Sequence, residues 1–137
     1  CPHDFDHLLA VARLTYLLLI EQGERTISKE LAYAAGLLHD IGRWQEYTEN
    51  IDHALAGVEL ACPILEHSGF KPVEIKLIST AISQHRHIDR PGDKNNLHPL
   101  SRALYNADLF SRLCFKCSAR ESCRKYTHLP QGKKLCY

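Results

Sequence analysis

Leu37-Leu38-His39-Asp40-Ile41-Gly42-Arg43 (LLHDIGR) places an imidazole and a carboxylate side by side at the end of an apolar stretch, just before a glycine. Leu31, Ala35, Leu38 and His39 fall on one face of a helix that starts at Ser28, a hydroxyl residue suited to capping a first turn, and stops near Gly42. An apolar stripe that ends in His and Asp is costly to bury. An isolated polar or charged group forfeits several kcal/mol unless it is paired or coordinated.

Working outward, residues 2–21 read as a helix with Phe5, Leu8, Ala12 and Tyr16 near one face and His7, Val11, Leu14 and Leu18 on a second stripe, closed by Gly23. Residues 44–50 read as a polar loop. Residues 52–67 read as a helix that gathers His53, Gly57, Leu60, Ala61 and Ile64, with a kink expected at Pro63. A further helix over 72–85 aligns Ile78, Ala81, Ile82 and His85, and 86–97 is a loop with Pro91-Gly92-Asp93 and Asn95-Asn96. The helix over 99–113 aligns Leu100, Leu104, Ala107 and Asp108, and no stretch alternates as a strand. The expected fold is all-α: one helical bundle of five or more helices over residues 1–113, with a Cys-bearing tail, 114–137, packed on the same domain.

With 45% hydrophobic and 24% charged residues in 137, the composition excludes disordered and low-complexity classes. Seventeen Lys+Arg against 16 Asp+Glu leave a formal charge of +1, which exerts no pull toward nucleic acid or an anionic membrane. No apolar run approaches the roughly 18 to 20 residues that cross a bilayer. The absence of a signal-like segment and the presence of six Cys point to a reducing cytoplasm.

The informative surplus is nine His and six Cys. On each of five helices a metal-binding side chain shares the apolar stripe: His7, His39, His53, His85 and Asp108. Taken singly, each has a bland explanation as a hydrogen-bonded core residue, and Asp108 could pair with Arg112 at i+4. Five such placements together point to convergence on one metal site. Imidazoles and carboxylates suit Fe, Mn, Ni or Zn.

His7 in DHLLAV, His39-Asp40 in LLHDIGR and Asp108 in YNADLFSR resemble the ordered H…HD…D signature of the HD superfamily of metal-dependent phosphohydrolases, an all-α fold. His53 in HALAGVEL and His85 in AISQH stand where the binuclear branch carries two more histidines, while Arg86 and then His87 follow where many relatives have a second His directly. The resemblance implies one metal on His7, His39, Asp40 and Asp108, and a second on Asp40 as bridge with His53 and His85. It implies hydrolysis of a phosphoester or pyrophosphate, in a nucleotide or other small phosphorylated substrate, by metal-activated water, with Asp40 catalytic. Arg43, Arg86 and Arg112 follow the motifs closely and can take phosphate oxygens in bidentate fashion, Arg43 and Arg112 being the preferred pair. Substrate-selective contacts are expected from residues 44–50 and 86–97. The competing function is a metal- and nucleotide-binding sensor without turnover.

Cys114, Cys117 and Cys123 form C-x2-C-x5-C after the last helix, a metal-site spacing. The fourth ligand is Cys1 or Cys136, Cys1 being favoured because it precedes the helix that carries His7. Zinc and an iron–sulfur cluster both fit four thiolates. Cys62, amid Leu60, Ala61 and Ile64, is expected in the core.

Overall fold

The computed structural model describes residues 4–85, 97–114, 117–118 and 120–122. Six α-helices follow in order: α1 (Phe5–Glu21), α2 (Lys29–Leu38), α3 (Arg43–Glu49), α4 (His53–His67), α5 (Pro72–Gln84) and α6 (Pro99–Phe110), with a 3-10 turn at Arg120–Ser122. No strand occurs among the described residues, and the fold is all-α.

Local chemistry sets most boundaries. Asp4 caps α1 by accepting from the His7 amide at 3.0 Å, and Ser28 caps α2 by accepting from Leu31 at 3.3 Å. Asp52 caps α4, accepting from the Ala54 amide at 2.8 Å, so His53 is that helix's first residue. Pro72 and Pro99 open α5 and α6, where a missing N–H costs nothing. Pro63 lies inside α4 without ending it.

Helix α1 packs on α2 and α6, α4 packs on α5, and α5 also meets α6 and α2. Val11, Leu19, Leu65, Ile78, Ile82, Leu100 and Leu104 are fully buried where these faces meet. On α1 the buried stripe is Val11, Ala12, Thr15, Leu18 and Leu19, while Phe5 is 67% exposed, so the face headed by Phe5 is not the core face. Ile64 is also exposed, and Cys62 is only half-buried, with Sγ 3.5 Å from Ser79 Oγ. One residue of offset, about 100° around α4, turns each outward from the Ala61–Leu65 stripe that the core uses.

Residues 43–49 correct the expected polar loop. They form α3, which ends where Asn50 adopts the left-handed conformation (φ 56°). No residue of α3 is buried, so the segment carries no apolar periodicity to read. It is held instead by Arg43–Glu46 at i,i+3, a Thr48 hydroxyl bonded to the Trp44 carbonyl at 2.9 Å, and its packing on α4. Helix α6 stops at Phe110, short of the expected 113, which makes Ser111 its cap and puts Arg112 beyond it.

Gly36 sets how closely α1 and α2 approach. A Cβ there would meet Ala12 Cα at 2.3 Å, a contact with backbone that no rotamer change relieves. Gly36→Ala gains about 1 kcal/mol of helix propensity but loses more to overpacking. A net loss of about 2 kcal/mol or more is expected, measured as a lower urea midpoint at unchanged slope.

Candidate metal centre

Five of the six helices meet at one buried cluster through a helix end or one face. His7 comes from the first turns of α1, His39 caps the C-terminus of α2, and Asp40 follows in the turn. His53 begins α4, His85 caps α5, and Asp108 lies on the buried face of α6. Gly42 makes this convergence possible: a Cβ on it would lie 2.5 Å from both Gly57 N and His53 O. Only a residue without a side chain lets the His39-Asp40 turn lie directly against the start of α4.

All six side chains singled out in the sequence for metal binding are brought together. Nitrogen and oxygen atoms of His7, His39 and Asp108 lie within 4.8 Å of one another, as do those of Asp40, His53 and His85. Asp40 faces both groups. Its Oδ2 lies 3.3 Å from His39 Nε2 and 3.9 Å from His7 Nε2, while Oδ1 lies 3.3 Å from His53 Nε2 and 3.7 Å from His85 Nε2. His7 Nε2 is 3.3 Å from Asp108 Oδ1, and His39 Nε2 is 3.9 Å from the same oxygen.

The hydrogen bonds behind the rings decide what the front nitrogens can do. His39 Nδ1 donates to the Gly36 carbonyl at 2.7 Å, and His85 Nδ1 donates to Ile82 at 2.6 Å. A carbonyl only accepts, so each Nδ1 carries a proton, and each ring in its neutral form presents an Nε2 lone pair inward. His53 Nδ1 is bonded to Glu46 Oε2 at 2.7 Å, and His7 Nδ1 to Ser111 Oγ at 3.3 Å, with Ser111 donating in turn to the Asp108 carbonyl at 3.0 Å. His53 Nε2 and His85 Nε2 stand 3.3 Å apart, two acceptors facing each other. His39 Nε2 and Asp108 Oδ1 are buried with no hydrogen-bond partner among the described residues. Lone pairs gathered in this way repel unless a cation stands among them, so the donor set fits a divalent metal.

Charge around the cluster is arranged to the same end. Arg112 Nη2 holds Asp108 Oδ2 at 2.6 Å, and Arg43 Nη2 approaches Asp40 Oδ1 at 3.2 Å while its Nη1 bonds Glu46 Oε2 at 2.9 Å. Both arginines anticipated as phosphate contacts therefore already hold site carboxylates. Burial works to raise the Asp108 pKa. The close approach of the His7 imidazole and the Arg112 charge outweigh it and keep the carboxyl well below the usual range. For His39, burial acts to lower the pKa, and the close, charged Asp40, with Asp108, carries it above its ordinary value.

Glu46 and Ser111 went unassigned in the sequence. Glu46 lies in a segment without apolar periodicity, and the turn at residues 50–52 separates its helix from the one that His53 begins. A cavity of about 500 Å³ opens beside His7, lined by Ala10, Ser111, Arg112 and Leu113 and also by Cys114 and Cys117. The Cys117 amide donates to the Cys114 carbonyl at 3.1 Å. Cys1, Cys123 and Cys136, with Arg86 and His87, lie outside the described residues.

Residues 4–113 match the HD domain family. An uncharacterised protein of Clostridium beijerinckii is 32% identical over 123 residues, 90% of this chain and 73% of the relative. A Bacillus subtilis protein named phosphohydrolase YueE is 31% identical over 112 residues, 74% of this chain and 62% of the relative. Ribonuclease Y of Bacillus thuringiensis is 42% identical over 74 residues, 54% of this chain but 13% of that much longer protein. No solved structure gives a significant match.

A cation held by His39 would compete with its proton. In chelator-treated protein the charged His39 stabilises the fold below its unfolded pKa of about 6.5, and that contribution is lost as pH rises through the raised folded value. Thermal unfolding of the stripped protein is therefore expected to show stability falling from mildly acidic to mildly alkaline pH. Added Mn²⁺ or Zn²⁺ should restore it most at the alkaline end, where affinity is about tenfold higher per unit of pH for each proton displaced.

Proposed function

The chain belongs to the HD domain family, and on that premise we propose that it is a metal-dependent phosphohydrolase cleaving a phosphoester or pyrophosphate of a nucleotide or other small phosphorylated substrate. One observation carries the proposal: a single buried carboxylate, Asp40, faces one triad of metal-binding atoms with each of its oxygens. In this reading His7, His39, Asp40 and Asp108 hold one divalent cation, and Asp40, His53 and His85 hold a second, with Fe, Mn, Ni or Zn fitting the donors. Bound there, the cations supply activation of water near neutral pH and neutralise charge on phosphoryl oxygens. The relatives named phosphohydrolase and ribonuclease both denote hydrolysis at phosphorus, which supports this reaction class.

The chain's own residues supply the rest. Three carboxylates (Asp40, Glu46 and Asp108) face two guanidiniums (Arg43 and Arg112), so bound cations would supply the positive charge that a phosphate needs. Arg43, its buried Nε unbonded among the described residues, and Arg112, at the wall of the 500 Å³ cavity, take the phosphoryl oxygens. The cavity, within the roughly 300 to 1,000 Å³ typical of ligand sites, receives the leaving group along Ala10 and Leu113.

Cys114 and Cys117 lie in the wall of this cavity, which supports a tail that begins against the domain. We assign them, with Cys123 and with Cys1 or Cys136, to a zinc or iron–sulfur site, residues 114–137 forming an extension packed on residues 1–113. No described helix is long and apolar enough to cross a membrane.

Hydrolysis of p-nitrophenyl phosphate and a nucleotide panel by metal-loaded protein should fall at least about a hundredfold in His39→Ala, Asp40→Ala and Asp108→Ala, beyond the loss typical of outer-sphere partners. Folded variants that retain full turnover would refute the assignment. Anaerobically purified protein should show iron charge-transfer bands above 350 nm if the tail holds a cluster, and stoichiometric zinc without such bands if it does not. Finding neither refutes the cysteine site.

A further inference from the structure

Glu46 is a carboxylate for which the hydrolytic reading has no role. Its Oε2 lies 2.7 Å from His53 Nδ1 and 2.9 Å from Arg43 Nη1, and the other arm of Arg43 reaches Asp40 Oδ1 at 3.2 Å. One oxygen atom thus orients two of the three members of the Asp40–His53–His85 triad. The remaining histidines of the cluster rest on neutral acceptors: His85 on the Ile82 carbonyl, His39 on the Gly36 carbonyl and His7 on the Ser111 hydroxyl. The asymmetry is chemical. An imidazole that donates to a carboxylate is a stronger donor to a cation through its other nitrogen than one that donates to a carbonyl.

We propose that Glu46 is the positioning residue that governs cation occupancy of the Asp40–His53–His85 half of the site and leaves the His7–His39–Asp108 half untouched, on the premise that both triads bind cations. Two effects act in the same direction. Without Glu46, His53 is no longer held in the tautomer whose Nε2 lone pair faces Asp40, and a proton on Nε2 cannot share that place with a metal. Arg43, released at one arm, then directs its charge onto Asp40 Oδ1, the oxygen the cation needs. The Glu46 side chain is itself 25% exposed, so solvent screens its pairs and its removal costs the fold little.

The test is titration of the stripped, full-length chain with Mn²⁺, followed by electron paramagnetic resonance of the free ion and by elemental analysis after desalting. Manganese(II) favours oxygen donors over thiolates, which keeps the cysteines out of the count. Wild type is expected to bind two ions. Glu46→Ala should keep one at wild-type affinity and bind the other about 10- to 100-fold more weakly. Glu46→Gln, whose carbonyl still accepts from His53 but cannot hold Arg43 by charge, should fall between them. Metal-free thermal unfolding of both variants should stay within a few degrees of wild type. Two ions bound at wild-type affinity in Glu46→Ala, or equal weakening of both, overturns the proposal. His53→Ala and His7→Ala separate it from its premise: each should lose one ion. If His53→Ala binds two as wild type does, the two-triad assignment fails, whereas loss in His53→Ala without loss in Glu46→Ala sinks only the role of Glu46.

Discussion

The carboxylate of Asp40 is the constraint around which the molecule is arranged. Its side chain is 2% exposed and is approached within 4 Å by four imidazoles and one guanidinium. Desolvating a carboxylate costs several kcal/mol after relaxation, and one arginine on one oxygen does not offset that. The other oxygen, Oδ2, faces the ring nitrogens of His39 and His7, and the His39 proton is committed to the Gly36 carbonyl. A site of this kind is a poor investment for a fold that needs only stability, and a coherent one for a fold that binds cations.

The helices serve that arrangement by their ends. His39 and His85 are C-caps, His53 is the first residue of its helix, and His7 and Asp108 sit near opposite termini of a packed pair. At a C-cap the backbone carbonyls one turn back are within reach of a side chain, and Gly36 and Ile82 use them to fix the rings. The absence of side chains at Gly36 and Gly42 sets the approach of α1 to α2 and of the His39-Asp40 turn to α4. Packing and chemistry thus share the same few backbone contacts.

Much of this was legible in the sequence because burial and ligation act on the same periodicity. His39, His53, His85 and Asp108 stood on apolar stripes, and all four are buried. The capping residues Ser28 and Asp52 were equally legible, since a hydroxyl or carboxylate before a periodic run has a local reason to be there. Helix α3 was not, because it buries nothing and follows no stripe. Glu46 was hidden with it. Its partner His53 lies on the far side of the turn at 50–52, and only three-dimensional proximity joins positions 46 and 53. Phe5 misled in the opposite direction: as a large apolar residue at the right spacing it marked a face, but the termini of α1 extend beyond the core.

The two triads also differ in how much of the chain they span. Asp40, His53 and His85 come from the middle of the sequence, whereas His7 and Asp108 belong to its first and last described α-helices. Closing a loop of about 100 residues costs an unfolded chain roughly 4 to 5 kcal/mol of entropy, and here the packing of α1 on α6 bears that cost. The His7–His39–Asp108 triad therefore exists only once the ends of the domain have met. A cation held there would bind only the globally folded domain, whereas Asp40, His53 and His85 draw on one contiguous stretch of the chain.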